Sequence, residues 1–363
     1  MDKKIILAVA GSGKTYHLCH SIETTKRNLV LAFTNENIHN LRNEIVNKND
    51  NIPQKTVVTT FHSFIYSIFI RPYESYVAED YSQKHLRSKG VSLAEVQQQY
   101  KNGRPNPKYV SQDKIEHYYN KSLEYIYCSR MSELIVKHKS VLNKGIMRLN
   151  KFYDSIYIDE FQDFREFDYK LIEQIIKHFN GEMLLVGDYY QHSVSGENNS
   201  GAPFSKKKRT ISYNEYIILL KELGLTVDTE TLVKSRRCSK TVCDYICEKL
   251  KIRIKSIEDR TTDIIVVDSE EKAKEIIKNQ EIMKLVYDNS KKYGKQFMNW
   301  GYSKGNTYND VCVILTKSLE KFTDDNFDIS KEKQPTINKL YVALSRAKGN
   351  LFILNDDLFK KAY

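Results

Sequence analysis

Residues 8–15 read Ala-Val-Ala-Gly-Ser-Gly-Lys-Thr and directly follow the apolar run Ile5-Ile6-Leu7. A buried strand running into a turn of small residues that closes on Lys-Thr is the sequence form of a phosphate-binding loop. Small residues let backbone N–H groups wrap around phosphate oxygens, and the helix that follows turns its positive end toward them. Ala10, Gly11, Ser12 and Gly13 then form the cradle. Lys14 reaches the β- and γ-phosphates, and Thr15 offers its hydroxyl to Mg²⁺. Ala8 stands where the strict pattern has its first Gly.

Working outward, short apolar segments alternate with amphipathic ones. Asn28–Phe33, Thr56–Thr60, Ser155–Ile158 and Met183–Val186 read as strands, and Phe167–His178 as a helix. Such alternation implies an α/β fold whose parallel sheet is covered on both faces. Ligands of such sheets bind beyond the carboxyl ends of the strands. There the sequence places Asp159-Glu160, straight after Ser155–Ile158. Asp159 suits a Mg²⁺ ligand and Glu160 a base that orients the attacking water. Gln191, in Gly187-Asp188-Tyr189-Tyr190-Gln191, follows another strand and is positioned for a γ-phosphate or its water.

Composition bounds the classes. The chain has 363 residues, a length for about two domains. Apolar residues make up 40% and charged residues 28%, a globular balance. No apolar run approaches the ~20 residues that span a bilayer, so no membrane association is expected. A cleaved leader would remove the phosphate loop, so a cytoplasmic location is expected. The net charge of +11 favours a polyanionic partner such as nucleic acid. The run Lys206-Lys207-Lys208-Arg209 reads as a solvated loop, and the six scattered cysteines as buried free thiols rather than metal ligands.

Taken in order, eight segments resemble the motifs of UvrD/Rep-type superfamily 1 helicases and translocases. They are AGSGKT (Ala10–Thr15), AFTNEN (Ala32–Asn37), TTFHSF (Thr59–Phe64), IDEFQD (Ile158–Asp163), GDYYQ (Gly187–Gln191), LVKSRRCS (Leu232–Ser239), SKGNTYNDV (Ser303–Val311) and YVALSRAKG (Tyr341–Gly349). The resemblance implies a P-loop NTPase of two RecA-like parallel-sheet domains, with ATP and Mg²⁺ bound in the cleft between them. It implies a first domain over 1–210, with a small helical insertion at about 71–150, and a second over 211–363. Residues Lys14, Glu160, Gln191, Arg237 and Arg346 are implied to be catalytic, the two arginines as fingers on transition-state charge. Single-stranded or partly duplex DNA is the implied partner. Phe33, Thr34, Asn35, Thr60, His62 and Lys304 map to its contacts; Phe33 suits either base stacking or the core.

Departures from the family pattern matter too. Nine residues precede Ala10, leaving no room for the adenine-reading segment relatives carry, so a relaxed preference for adenine is expected. Arg236 aligns with a tyrosine that stacks on the base, and a guanidinium plane can stack likewise. Thr307 aligns with a glutamate near the nucleotide sugar, and Val194 and Gly196 with aromatic DNA contacts. The stretch between Phe64 and Asp159 leaves room for a compact helical insertion. The stretch between Arg237 and Lys304 is too short for the family's large 2B insertion, being filled by the strand Ile264–Val267 and a helix around Glu270–Val286. The reading is an ATP-dependent translocase or helicase moving 3′→5′. The alternative is a nucleotide-switched regulatory ATPase subunit of a nuclease-containing repair or anti-phage defence complex.

Overall fold

The computed structural model describes residues 2–101, 103–192, 201–206 and 209–363. Its first sheet has six strands, ordered Thr226–Asp228, Lys3–Leu7, Glu182–Gly187, Ser155–Ile158, Asn28–Ala32 and Thr56–Thr60. The central pairs are parallel, with Leu31 opposite Ile158, Ala32 opposite Thr60 and Ile158 opposite Leu185. Their carboxyl ends therefore share one edge, where Phe33, Phe61 and Asp159 leave the sheet. The strand Asn28–Ala32 is buried along its whole length. That requires cover on both faces, and parallel pairing needs helical crossovers that supply it. Helix Asn35–Asn49 buries Ile38, Leu41 and Ile45, and helix Glu166–His178 buries Tyr169, Leu171, Ile172, Ile175 and Ile176.

The second sheet has five strands, ordered Ile264–Val266, Leu351–Leu354, Asp310–Ile314, Ile282–Val286 and Phe297–Asn299, all pairs parallel. Its strands alternate between two cores with period two. Val311 and Val313 pack with Ile246, Leu340 and Tyr341 on one face. Cys312 and Ile314 pack with Ala273, Ile276 and Phe359 on the other. The fold is thus α/β with two parallel sheets.

By contact density the chain divides into two compact units, one of 1–4, 15–185 and 217–226, the other of 5–14, 186–216 and 227–363. The first sheet takes its edge strand Thr226–Asp228 from beyond residue 210, where the sequence reading ends the first domain. A three-residue strand after Gly224 carries too little pattern to be read.

Two segments differ from the sequence reading. Helix Glu270–Lys278 stops early and Ile282–Val286 is a strand, so a single helix over Glu270–Val286 is not formed. The Asn279 side chain accepts the Glu281 N–H across the break, and β-branched Ile282 and Val286 suit the strand beyond it. The inserted segment is helical only toward its ends, at Glu74–Asp80, Met131–Lys137 and Lys139–Phe152. Its middle is loops and short strands such as Gly90–Ser92 and Tyr125–Tyr127. The cysteines are free thiols. Among the described residues no cluster of metal-binding side chains occurs, and no helix is long and apolar enough to cross a membrane.

Candidate functional site

The loop after Leu7 needs its glycines twice over. Gly11 has φ +70 and Gly13 φ +85, the left-handed region that side chains resist. A Cβ on Gly11 would also lie 2.7 Å from Arg237 Cβ and 2.8 Å from Ser235 Oγ. The close approach is sealed by Arg236 N–H, which donates to Gly11 O at 2.8 Å. Ser12 Oγ donates to Val9 O at 2.9 Å, and Ala10 N–H donates to the Tyr341 hydroxyl at 2.8 Å. Lys14, 9% exposed, opens helix Lys14–His20.

At the edge of the first sheet, Thr15 Oγ1 donates to Asp159 Oδ2 at 2.8 Å. Asp159 is 2% exposed, and its other oxygen accepts from Glu160 N–H at 2.9 Å. Glu160 sits at φ 52, a strained conformation for a residue with a side chain, and Gln162 Nε2 donates to its carboxylate. Hydroxyl and carboxylate together are two hard oxygen donors, the chemistry Mg²⁺ selects, with other positions left to water and phosphate.

Along the same edge, Thr34 caps helix Asn35–Asn49 by accepting from Asn37 N–H, and Thr60 caps Phe61–Ile65 by accepting from Ser63 N–H. Asn35 is exposed. Phe33 is half-buried, its ring edge-to-face with His62 (5.0 Å) and Phe164 (5.7 Å), so part of it belongs to the core. His62 Nε2 lies 3.8 Å from Asp168 Oδ2, and Ser132 Oγ donates to the other Asp168 oxygen at 2.5 Å. Burial pushes the His62 pKa down against the pull of Asp168, and burial pushes the Asp168 carboxyl up.

The second unit holds Gln191, Arg237, Thr307 and Arg346 in two networks, the first buried and the second reaching the surface at Thr307. Gln191 Nε2 donates to Asp188 Oδ2 at 2.8 Å, and the Tyr341 hydroxyl lies 3.4 Å from the same oxygen. Because that hydroxyl also accepts from Ala10, a continuous chain links the phosphate loop to Gln191. In the second network Arg237 Nε donates to Thr307 Oγ1 at 2.7 Å and a terminal nitrogen to Ser345 O at 3.2 Å. Arg346 is 1% exposed. Its Nε donates to Val342 O (2.8 Å), one terminal nitrogen to Asn306 O (3.2 Å) and Ser303 O (3.4 Å), the other to Ser345 Oγ (2.9 Å). Burial, then the nearby Arg237 charge, pushes its pKa down. Arg236 and Thr307 are exposed and Lys304 half-buried beside Gly305, which has φ +90. Val194 and Gly196 lie outside the described residues.

Sequence reasoning missed Asp188 as the holder of Gln191, and Ser235 and Tyr341 as partners of the loop. Tyr341 carried a legible signal. It is the one hydroxyl in the apolar run Leu340–Leu344, and a buried tyrosine hydroxyl needs a polar partner. Ser235 carried none, since its role depends on Gly11 approaching it.

One protein-family model, described as an AAA domain, matches residues 2–197. No curated protein sequence matches the chain. Solved structures that align with it include a PRRSV helicase, at TM-score 0.45 and 11% identity over 98% of this chain and 52% of that one. An Arterivirus nonstructural protein 10 (helicase) in complex with DNA aligns at TM-score 0.47 and 14% identity, over 99% and 62%. A crystal structure of Arterivirus nonstructural protein 10 (helicase) aligns at TM-score 0.45 and 13% identity, over 99% and 61%. The chain thus spans between half and two thirds of the length of these proteins. With the family model covering more than half of its residues, the chain belongs to the AAA domain family.

Proposed function

We propose that the chain is a Mg²⁺-dependent ATP hydrolase of superfamily 1, UvrD/Rep helicase type, that moves along single-stranded DNA in the 3′→5′ direction. The observation that carries the reading is the 2.8 Å hydrogen bond from Thr15 Oγ1 to Asp159 Oδ2. It joins the end of a phosphate-loop sequence to the carboxylate after a parallel strand, the two groups through which such hydrolases hold magnesium. Bound Mg²⁺ would neutralise charge on the β- and γ-phosphates. Lys14 and the backbone of Ala10–Gly13 bind those phosphates. Glu160 orients the attacking water and takes its proton, and the Asp159–Glu160 and Gln162–Glu160 hydrogen bonds hold it for that. Gln191, fixed by Asp188, reads the γ-phosphate, and Arg237 and Arg346 meet transition-state charge. Arg236 and Thr307 lie toward the base and sugar. Phe33, Thr34, Asn35, Thr60, His62 and Lys304 line the DNA track. Residues 1–210 and 211–363 are the proposed RecA-like domains.

The test is steady-state hydrolysis by the full chain with Mg²⁺, with and without single-stranded DNA. Stimulation by DNA that disappears in Lys14→Ala and Glu160→Gln is the expected result. Robust hydrolysis indifferent to DNA would sink the translocase reading, and hydrolysis surviving Lys14→Ala would sink the site.

A further inference from the structure

The inserted segment contains a cavity of about 800 Å³ that plays no part in the proposed hydrolysis. Its size falls in the range of small-molecule sites. Four cations line it, Lys108, Lys114, Lys121 and Arg130, against two carboxylates, Glu95 and Glu116. Among the described residues none of the three lysines makes an ion pair, although Asp113 lies close enough to Lys114 to feel its charge, so the wall keeps a net positive balance of four cations against two carboxylates. Aromatic rings share the same wall: Tyr109, His117, Tyr119 and Tyr127. Tyr109 meets His117 edge-to-face at 5.7 Å, which fixes both planes.

Part of this wall is built rather than incidental. Glu133 is 5% exposed and meets three nitrogen groups at once: His117 Nε2 at 3.2 Å, Arg130 at 2.8 Å and Lys137 at 2.6 Å. Burial opposes its charge, but these hydrogen bonds prevail and hold its pKa at about 2. His117 is anchored on its other side by Val110 O at 2.7 Å. Glu133 thus orients an arginine and an imidazole that line the cavity while sitting behind them. Arg130 spends a single terminal nitrogen on it. Its Nε and the Tyr119 hydroxyl are buried without hydrogen-bond partners among the described residues. Buried donors without acceptors are rare in folded proteins, and here two occur in the wall of one basic cavity.

We propose that this cavity binds a nucleotide, its phosphate held by Arg130 and the lysines and its base against the half-buried rings of Tyr109 and Tyr127. Arginine with lysines suits a phosphate, and tyrosine faces suit any base. The nucleotide is either a free nucleoside phosphate or the phosphorylated end of a strand.

Titration calorimetry of the full chain carrying Lys14→Ala, with AMP as probe, tests this with the phosphate loop disabled. Saturable binding below about 1 mM is expected. It weakens at least about tenfold in Lys114→Glu, a change outside the Glu133 cluster, and in Tyr109→Ala, and falls as salt rises. Arg130→Gln, checked for folding by its melting temperature, weakens it likewise. Competition by a 5′-phosphorylated oligothymidine assigns the site to a strand end; no competition assigns it to free nucleotide. No saturable AMP binding, binding indifferent to Lys114→Glu and Tyr109→Ala, or pyrophosphate binding as tightly as AMP would overturn the proposal. Occupancy here and hydrolysis at the phosphate loop fail separately, because Lys114→Glu leaves hydrolysis intact while Lys14→Ala leaves AMP binding intact.

Discussion

The carboxylates of the first unit and the guanidiniums of the second are proposed for one reaction, yet they are held in opposite ways. Asp159 and Glu160 stand at a strand end on a short, strained turn, with a hydroxyl, a backbone N–H and an amide among their partners. Arg346 is enclosed, with donors on three backbone carbonyls and a serine hydroxyl. A group that reacts should keep acceptor oxygens available to ligand, as carboxylates beyond a strand end can. A group saturated by backbone holds the fold together first. The two regions should therefore separate when activity and stability are measured on the same variants.

The largest effect is expected at Glu160. Glu160→Gln keeps the shape and removes the base, so hydrolysis should fall about 10³-fold with nucleotide binding retained. Single-turnover measurement checks this, and a loss under tenfold would remove Glu160 from the chemistry. Next comes Arg237, half-buried, whose guanidinium donates to Thr307 Oγ1 and Ser345 O. Arg237→Ala should lower turnover about 10²-fold while changing stability by less than about 1 kcal/mol. Arg346→Ala tests the opposite end of the comparison. It strands the carbonyls of Val342, Ser303 and Asn306 and opens a void, for a loss of about 3 kcal/mol in denaturant unfolding. Arg346→Lys should recover little, since an ammonium cannot reach acceptors in three directions. If Arg346→Ala melts like the parent chain, the contrast between the regions is wrong.

What was legible in the sequence follows from range. Strands such as Thr56–Thr60 and Ser155–Ile158 are declared by five or fewer adjacent residues, and the structure has them at the same bounds. The phosphate loop is equally local, since small residues and Lys-Thr are contiguous. The helix at Glu270 was overrun because Ile282–Val286 is an apolar run that suits helix or strand, and only pairing with Asp310–Ile314 and Phe297–Asn299 decides it. The middle of the insertion was read as helical although Gly90, Gly103, Pro105 and Pro107 punctuate it. Relations such as Gly11 to Ser235, Ala10 to Tyr341 and Glu133 to His117 join residues far apart in the chain, and no local pattern encodes them.

Tyr341 links the two styles of holding, since its hydroxyl is buried like Arg346 yet touches the phosphate loop. Tyr341→Phe removes only that oxygen, leaving Ala10 N–H without its acceptor. About 1 kcal/mol of stability should go, with up to about a tenfold fall in turnover. A fall in stability with unchanged turnover would place Tyr341 with Arg346 as structure alone.

The smallest effect concerns His62, which belongs to the first region but is enclosed like the second. Burial lowers its folded-state pKa below the ordinary 6.5 even with Asp168 opposite. The folded chain therefore resists a proton that the unfolded chain accepts. Stability from the neutral ring is complete above about pH 6.5 and is lost as pH falls below that value toward the lower folded-state pKa. His62→Gln cannot take up the proton, so its stability between pH 7 and 5.5 should decline less than the parent's, by under about 1 kcal/mol. Denaturant midpoints at both pH values measure this. Equal declines would mean that Asp168 has matched the burial penalty, making His62 a paired charge held as the carboxylates are held rather than as Arg346 is.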